Sequence, residues 1–279
     1  MMSATRISLP GDGITLVADA YGDPTAPPVC FFHGGGQSRR SWAGSARRVA
    51  QAGYYGLTFD LRGHGDSDWA SDGDYLLEAY GRDVEAILMA LFRPVALVGA
   101  SRGGQCALVG GSRHPDRVRL IMLADVAPHI DDAGVEEIRG FFRASKAGFA
   151  SLDEAADALH RHLGQPRVAD VSGLAKAMRT DGERLFWHWD PRTTSQEFLH
   201  PPSEGEALVA AAMRVTTPVV LVKAELSEIV SDESVRQFQA LTPQLEVEVA
   251  HGVGHMLTGD HNDAFAERLL RHLTTYLPL

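Results

Sequence analysis

Cysteine is scarce in this chain. Cys30 and Cys106 are the two among 279 residues, too few for a disulfide framework. Cys30 lies in the apolar run Pro28-Val29-Cys30-Phe31-Phe32, and Cys106 follows a glycine-rich turn. Both are expected as buried, reduced thiols. Long hydrophobic runs are missing too. No apolar stretch approaches the roughly 20 residues of a membrane-spanning helix, and the opening Met1 to Gly13 segment has no apolar signal core. A cytoplasmic location is the expectation, with no membrane partner. Positive charge is in deficit: 26 Lys and Arg stand against 36 Asp and Glu, for a formal net charge of -10. Such a surface repels phosphate backbones, so nucleic acid is excluded as the expected partner. There is no H-E-x-x-H, no paired C-x-x-C, no P-loop and no G-x-G-x-x-G after a strand. His160 and His162 are two apart in a helical pattern, so they face different ways and make a poor metal pair. Neither a metal nor a cofactor is expected, and the partner is a small-molecule substrate.

What is present is an ordinary globular composition, 44% hydrophobic and 22% charged, enough to bury one large core. Short apolar runs alternate with longer helical patterns, the signature of an α/β fold with a mostly parallel sheet. Eight strands are predicted, at 6–9, 14–21, 29–33, 56–60, 95–99, 119–125, 219–223 and 245–249. Pro10-Gly11-Asp12-Gly13 separates the first two as a hairpin turn, so these form an antiparallel edge. Helices are predicted on both faces, at 41–52, 76–92, 232–240 and, at the end of the chain, 263–276. Residues 127–214 break the alternation. They hold no good strand candidate and read as helices at 135–145, 152–163, 173–179 and 204–214. The expected organisation is a core of 1–126 and 215–279 with a helical lid, 127–214, inserted after the sixth strand. Ligands of open α/β sheets bind outside the carboxyl ends of the strands, so the lid is expected to shape a pocket there.

Three motifs carry chemistry. Gly99-Ala100-Ser101-Arg102-Gly103 fits G-x-S-x-G directly after a strand and before a helix, the context of a nucleophile elbow. The turn is tight enough to demand small neighbours, and it lifts Ser101 to a helix N-terminus, where the dipole favours developing negative charge. A glycine-rich turn that only packs helix on strand is the plainer reading. His33-Gly34-Gly35-Gly36-Gln37-Ser38 follows the third strand. Glycines let the backbone approach closely, and the N–H groups of Gly35 and Arg102 are the candidate oxyanion hole. His33 is read as a structural hydrogen-bonding residue. His251-Gly252-Val253-Gly254-His255 follows the last strand. His255, further into the loop, is the candidate general base, and His251, at the strand end, is read as structural.

With Asp60-Leu61-Arg62-Gly63-His64-Gly65-Asp66-Ser67 in between, these motifs stand in the order of the α/β-hydrolase family, which the chain resembles over nearly its whole length. The resemblance implies a structural role for Asp60, Arg62 and His64, the arginine pairing locally with a buried aspartate. It also exposes a departure. The family's acid usually follows the strand before the histidine loop, and here that slot aligns with Ser227. Two carboxylates could replace it: Asp125, at the end of the sixth strand, and Glu228, one residue off register. Asp125 is preferred, as in some esterases of this fold that take their acid from the earlier strand. Its plainer reading is a strand-end cap.

The resemblance implies acyl transfer, with Ser101 as nucleophile, His255 as base, Asp125 as acid and a small carboxylic ester, uncharged or weakly polar, as substrate. Lactonase, thioesterase, perhydrolase and carbon–carbon bond hydrolase activities use the same triad. A cofactor-free oxygenase would use the His-Asp pair as base, and a non-catalytic receptor would keep the fold alone. In Phe186-Trp187-His188-Trp189, Trp187 and Trp189 either line the substrate pocket or pack the lid.

Overall fold

The computed structural model describes residues 3–129, 140–163, 171–194, 202–254 and 262–279. Its centre is one eight-stranded sheet in the order β1-β2-β4-β3-β5-β6-β9-β10. The strands are β1 (Thr5–Pro10), β2 (Thr15–Tyr21), β3 (Pro28–Phe32), β4 (Tyr55–Phe59), β5 (Val95–Ala100), β6 (Val118–Ala124), β9 (Val219–Ala224) and β10 (Leu245–Ala250). All eight stand where the apolar runs put them. β1 and β2 pair antiparallel, β2 pairs antiparallel with β4, and every later pairing is parallel.

The central strands are apolar at every position because both faces of the sheet are covered. β3 and β5 are buried throughout. Their side chains alternate between two cores: Cys30 and Phe32 enter one, Val29 and Phe31 the other. The second core is closed by helices α1 (Ala43–Gln51) and α7 (Asn262–Tyr276), through Ala46, Val49, Phe265, Leu269 and Leu273. The first is closed by α2 (Leu77–Leu91), α3 (Arg102–Gly111), α5 (Pro202–Arg214) and α6 (Asp232–Leu241). Cys30 and Cys106 are buried and unpaired, as expected of them.

Between β6 and β9 the chain builds a third, smaller apolar cluster of Phe142, Phe149, Ala155, Trp187 and Trp189. Residues 140–145 are helical, and α4 (Leu152–Leu163) and α5 match two of the helices predicted here. The rest of the 135–145 prediction lies outside the described residues.

The expectation of a purely helical segment is corrected. Where a helix was predicted at 173–179, a short 3-10 helix (Ser172–Ala177) gives way to β7 (Met178–Asp181), paired antiparallel with β8 (Arg184–Trp187). Asp181 pairs with Arg184, so Gly182 and Glu183 make a two-residue turn, with Gly182 at φ 63°. Glycine at the first central position is what a type II′ hairpin turn requires, and it outweighs the weak helical pattern. The hairpin also sets the aromatic run to a period of two. Trp187 and Trp189 stack on each other at 5.3 Å, while Phe186 and His188 face the other way, toward Arg179 and Gly65.

Candidate active site

Ser101 ends β5 and precedes α3 with φ 47° and ψ -123°. A non-glycine residue held there stores strain, and only a packed turn can maintain it. The packing is visible at the flanking glycines. A Cβ at Gly99 would overlap the backbone of Gly103, and one at Gly103 would overlap the carbonyl oxygens of Phe32 and His33. Helix and strand therefore meet backbone to backbone. The Ser101 side chain makes no capping bond to α3.

The glycine loop lies directly against this residue: a Cβ on Gly34 would sit 3.5 Å from Ser101 Cβ. Two of the loop's amides are occupied. Gly34 N–H donates to Gln37 Oε1 at 3.0 Å, and Gly36 N–H to His64 Nε2 at 3.2 Å. Gly35 is exposed, and its N–H has no partner among the described residues. Arg102 is the first residue of α3, where a helix leaves its N–H without an intrahelical acceptor.

Three neutral imidazoles hold the loop's shape. His33 accepts the Leu61 N–H at Nε2, 3.0 Å, so Nδ1 carries the proton and donates to Gly34 O at 2.7 Å. His64 repeats the logic, accepting from Gly36 and donating from Nδ1 to Arg62 O at 3.0 Å. His188 accepts the Gly65 N–H at Nδ1, 2.7 Å, and its other nitrogen bonds the backbone of Gln37. Burial lowers the pKa of all three, and His188 is held at about 4. His64 and His33 accordingly serve as fixed hydrogen-bonding groups, and His188, a third, was missed in the sequence because it lay in an aromatic run.

The Asp60–Ser67 loop is held differently from the expected local pair. Asp60 is fully buried and binds Arg39, through both its backbone N–H at 2.7 Å and its guanidinium. Arg62 instead grips Asp83 of α2 with two bonds of 2.7 Å. Arg39 was not singled out in the sequence because nothing local marks it.

Asp125 follows β6 at φ 50° and is fully buried. Ala100 and Ala124 are register partners, so Ser101 and Asp125 emerge side by side from adjacent parallel strands. Asp125 Oδ1 accepts the Ala224 N–H at 2.9 Å, and Oδ2 accepts the Ser227 hydroxyl at 2.7 Å. Ser227 Oγ in turn accepts the Val230 N–H at 2.9 Å. The serine in the family's usual acid slot thus holds the carboxylate of the neighbouring strand. Glu228, the alternative, is exposed. His251 is also on the surface, against Glu225 at 3.2 Å. His255 lies outside the described residues. The loop leading to it is tied to the Ser227 loop by Leu226 N–H to Val253 O at 3.0 Å.

Trp187 and Trp189 are both buried in the third cluster. A Cβ on Gly36 would lie 3.3 Å from the Trp189 ring, so Trp189 packs over the glycine loop, while Trp187 meets Phe149 at 5.4 Å on the far side. Beside the loop, the Arg102 guanidinium pairs with buried Glu204 at 2.8 Å, whose other oxygen accepts the Leu77 N–H that opens α2.

Comparison with known proteins agrees with this geometry. The family model for the alpha/beta hydrolase fold matches residues 27–261. An esterase of Mycobacterium tuberculosis is 29% identical over 254 residues, 87% of this chain and 81% of its own. An sn-1-specific diacylglycerol lipase of Mus musculus is 26% identical over 264 residues, 90% of this chain and 82% of its own. The crystal structure of E-2-(acetamidomethylene)succinate hydrolase superposes with a TM-score of 0.82 at 24% identity, covering 99% of this chain and 100% of that one. Among the described residues, no helix is long and apolar enough to cross a membrane. With the strand order, the strained serine turn and the family match over most of its length, this chain belongs to the α/β-hydrolase fold family, among hydrolases and esterases.

Proposed function

We propose that the protein is a serine hydrolase that cleaves a small, uncharged or weakly polar carboxylic ester through an acyl-enzyme. The observation that carries this reading is the side-by-side emergence of strained Ser101 and buried Asp125 from β5 and β6. Ser101 Oγ attacks the ester carbonyl carbon while His255 takes its proton. The resulting oxyanion is held by the N–H groups of Gly35 and Arg102. His255 returns the proton to the leaving alcohol as the tetrahedral intermediate collapses. It then deprotonates a water that attacks the acyl carbon, and Ser101 is regenerated with release of the acid. Asp125 stabilises the imidazolium and fixes its tautomer. Ala224 and Ser227 occupy one lone pair on each carboxylate oxygen, which sets the direction of the rest.

The segment 127–214 acts as the lid, and Trp189, against Gly36, supplies a wall of the acyl pocket. Trp187 stands behind it. The buried thiols suit a reducing compartment, and the working location is read as the cytoplasm. The test is labelling with a fluorophosphonate, with the modified peptide identified by mass spectrometry, followed by a panel of short esters, thioesters and lactones. Labelling at Ser101 and turnover of esters above the other classes are expected. An unlabelled, folded protein would overturn the mechanism, and a preference for thioesters or lactones would overturn the substrate class.

A further inference from the structure

A cavity of about 370 Å³ opens behind the glycine loop, with Ser38, Arg40, Trp69, Met178, Arg179 and His188 in its walls. Ser101, Asp125, Gly35 and Arg102 do not line it. Its volume falls within the range of small-molecule sites. Two further charged residues at its edge are already committed. Arg39 is bound by Asp19 at 2.9 Å, by Asp60 and by Asp66, and Asp66 is shared with Arg6.

The two other arginines are arranged differently. Arg179 is held by aromatic faces, with its guanidinium 5.4 Å from the Trp69 ring and 4.9 Å from Phe186. Its nearest carboxylate, Asp181, is 3.9 Å away and largely exposed. Arg179 Nε is buried and has no hydrogen-bond partner among the described residues. Arg40, in the short 3-10 helix Arg39–Trp42 that follows the glycines, makes no ion pair among the described residues. Stacking fixes a guanidinium's plane while leaving its N–H edge available to a planar anion. Arg40 and Arg179 approach one cavity from two separate segments, and among the described residues the only carboxylate paired with either is the solvent-exposed Asp181, at 3.9 Å from Arg179. Half-exposed Trp69 and Met178 add an apolar wall.

We propose that this cavity is a binding site for a small organic carboxylate. Its carboxylate group meets Arg40 and Arg179, and its apolar body lies on Trp69 and Met178. Because Ser101, Asp125, Gly35 and Arg102 are not among the described residues of its walls, the site stands whether or not Ser101 is a nucleophile. The charge-assisted contact supplies the affinity and the bidentate fork the selectivity for a planar anion.

The test is calorimetric titration of the full chain with benzoate, with its neutral isostere benzamide and with inorganic phosphate. Benzoate is expected to saturate one site, with benzamide and phosphate each weaker by about tenfold or more, as the loss of one charge-assisted bond or of the apolar contact would require. Arg40→Gln, at an exposed position that leaves the fold intact, is expected to weaken benzoate by about tenfold. Arg179→Gln should do the same, with its thermal midpoint checked against wild type. Equal affinity for benzoate and benzamide, no saturable benzoate binding in the millimolar range, or unchanged affinity in Arg40→Gln would overturn the site. Phosphate binding tighter than benzoate would overturn the organic carboxylate as its occupant.

Discussion

The Ser227 hydroxyl donates a 2.7 Å hydrogen bond to Asp125 Oδ2 across the ends of β9 and β6. The two positions at which this fold can present an acid are therefore in contact, with the carboxylate on one and a neutral donor on the other. Two carboxylates at this distance in a buried site would repel, so a single aspartate with a serine partner is the stable combination.

The acid is tested by single substitutions. Asp125→Asn is expected to lower kcat by about 10⁴-fold with the fold retained, the size of effect seen when a triad loses its carboxylate. Glu228→Gln, at an exposed loop position, is expected to cost less than about tenfold. In the Asp125→Asn background, adding Ser227→Asp should recover part of the loss, because the new carboxylate enters the same hydrogen-bonded site. The measurement is kcat at saturating ester, with circular dichroism as the folding check. The reverse order of the two single effects would move the acid to Glu228.

The two tryptophans are expected to separate. Either truncation to Ala empties a buried aromatic site and should cost about 3–5 kcal/mol of stability in denaturant titrations. Trp189→Ala should also change KM and the ranking of acyl chains, because its ring covers Gly36. Trp187→Ala should leave the ranking unchanged. Unchanged ranking in both variants would make the pair packing residues only.

Glu204 ties the residue after the elbow to the start of α2 through Arg102 and Leu77. Glu204→Gln leaves a buried guanidinium without its carboxylate, and the expected loss is about 3–5 kcal/mol. Urea midpoints measure it. A loss below about 1 kcal/mol, the scale of a surface pair, would show that the contact is not load-carrying in solution.

Acid should loosen the glycine loop. Buried His188 titrates at about 4, against 6.5 for an ordinary imidazole. Between those values the unfolded chain holds a proton that the folded chain does not, so stability falls as the pH drops. The contribution is complete above about 6.5 and is lost as pH falls through about 4. Protonation at Nδ1 would also set two donors face to face at the Gly65 N–H. His188→Gln should flatten the pH dependence in this window by up to about 1.4 kcal/mol per pH unit. Urea midpoints at about pH 7 and about pH 5 check it, and equal slopes in both proteins would contradict the assignment.

Much of this was legible in the residues. Continuous apolar runs marked the strands buried on both faces, and the glycines around Ser101 marked a turn too tight for a Cβ. Ser227 in the family's acid slot pointed to Asp125 as the alternative, and the two side chains are hydrogen-bonded at 2.7 Å. What stayed hidden depends on distant partners. Arg39 meets Asp60 from 21 residues away, Glu204 meets Arg102 from 102, and His188 meets Gly65 from 123, and no local period marks such pairs. The β7–β8 hairpin was different: Gly182, the first residue of its two-residue turn, marked it locally, and a helical reading of 173–179 hid it.

The most direct test of the serine mechanism is the turnover of Ser101→Ala on a short-chain ester. With the fold verified by circular dichroism, kcat is expected to drop by about 10⁴-fold or more, leaving only what the oxyanion hole and binding supply. Turnover close to wild type in the folded variant would contradict Ser101 as the nucleophile.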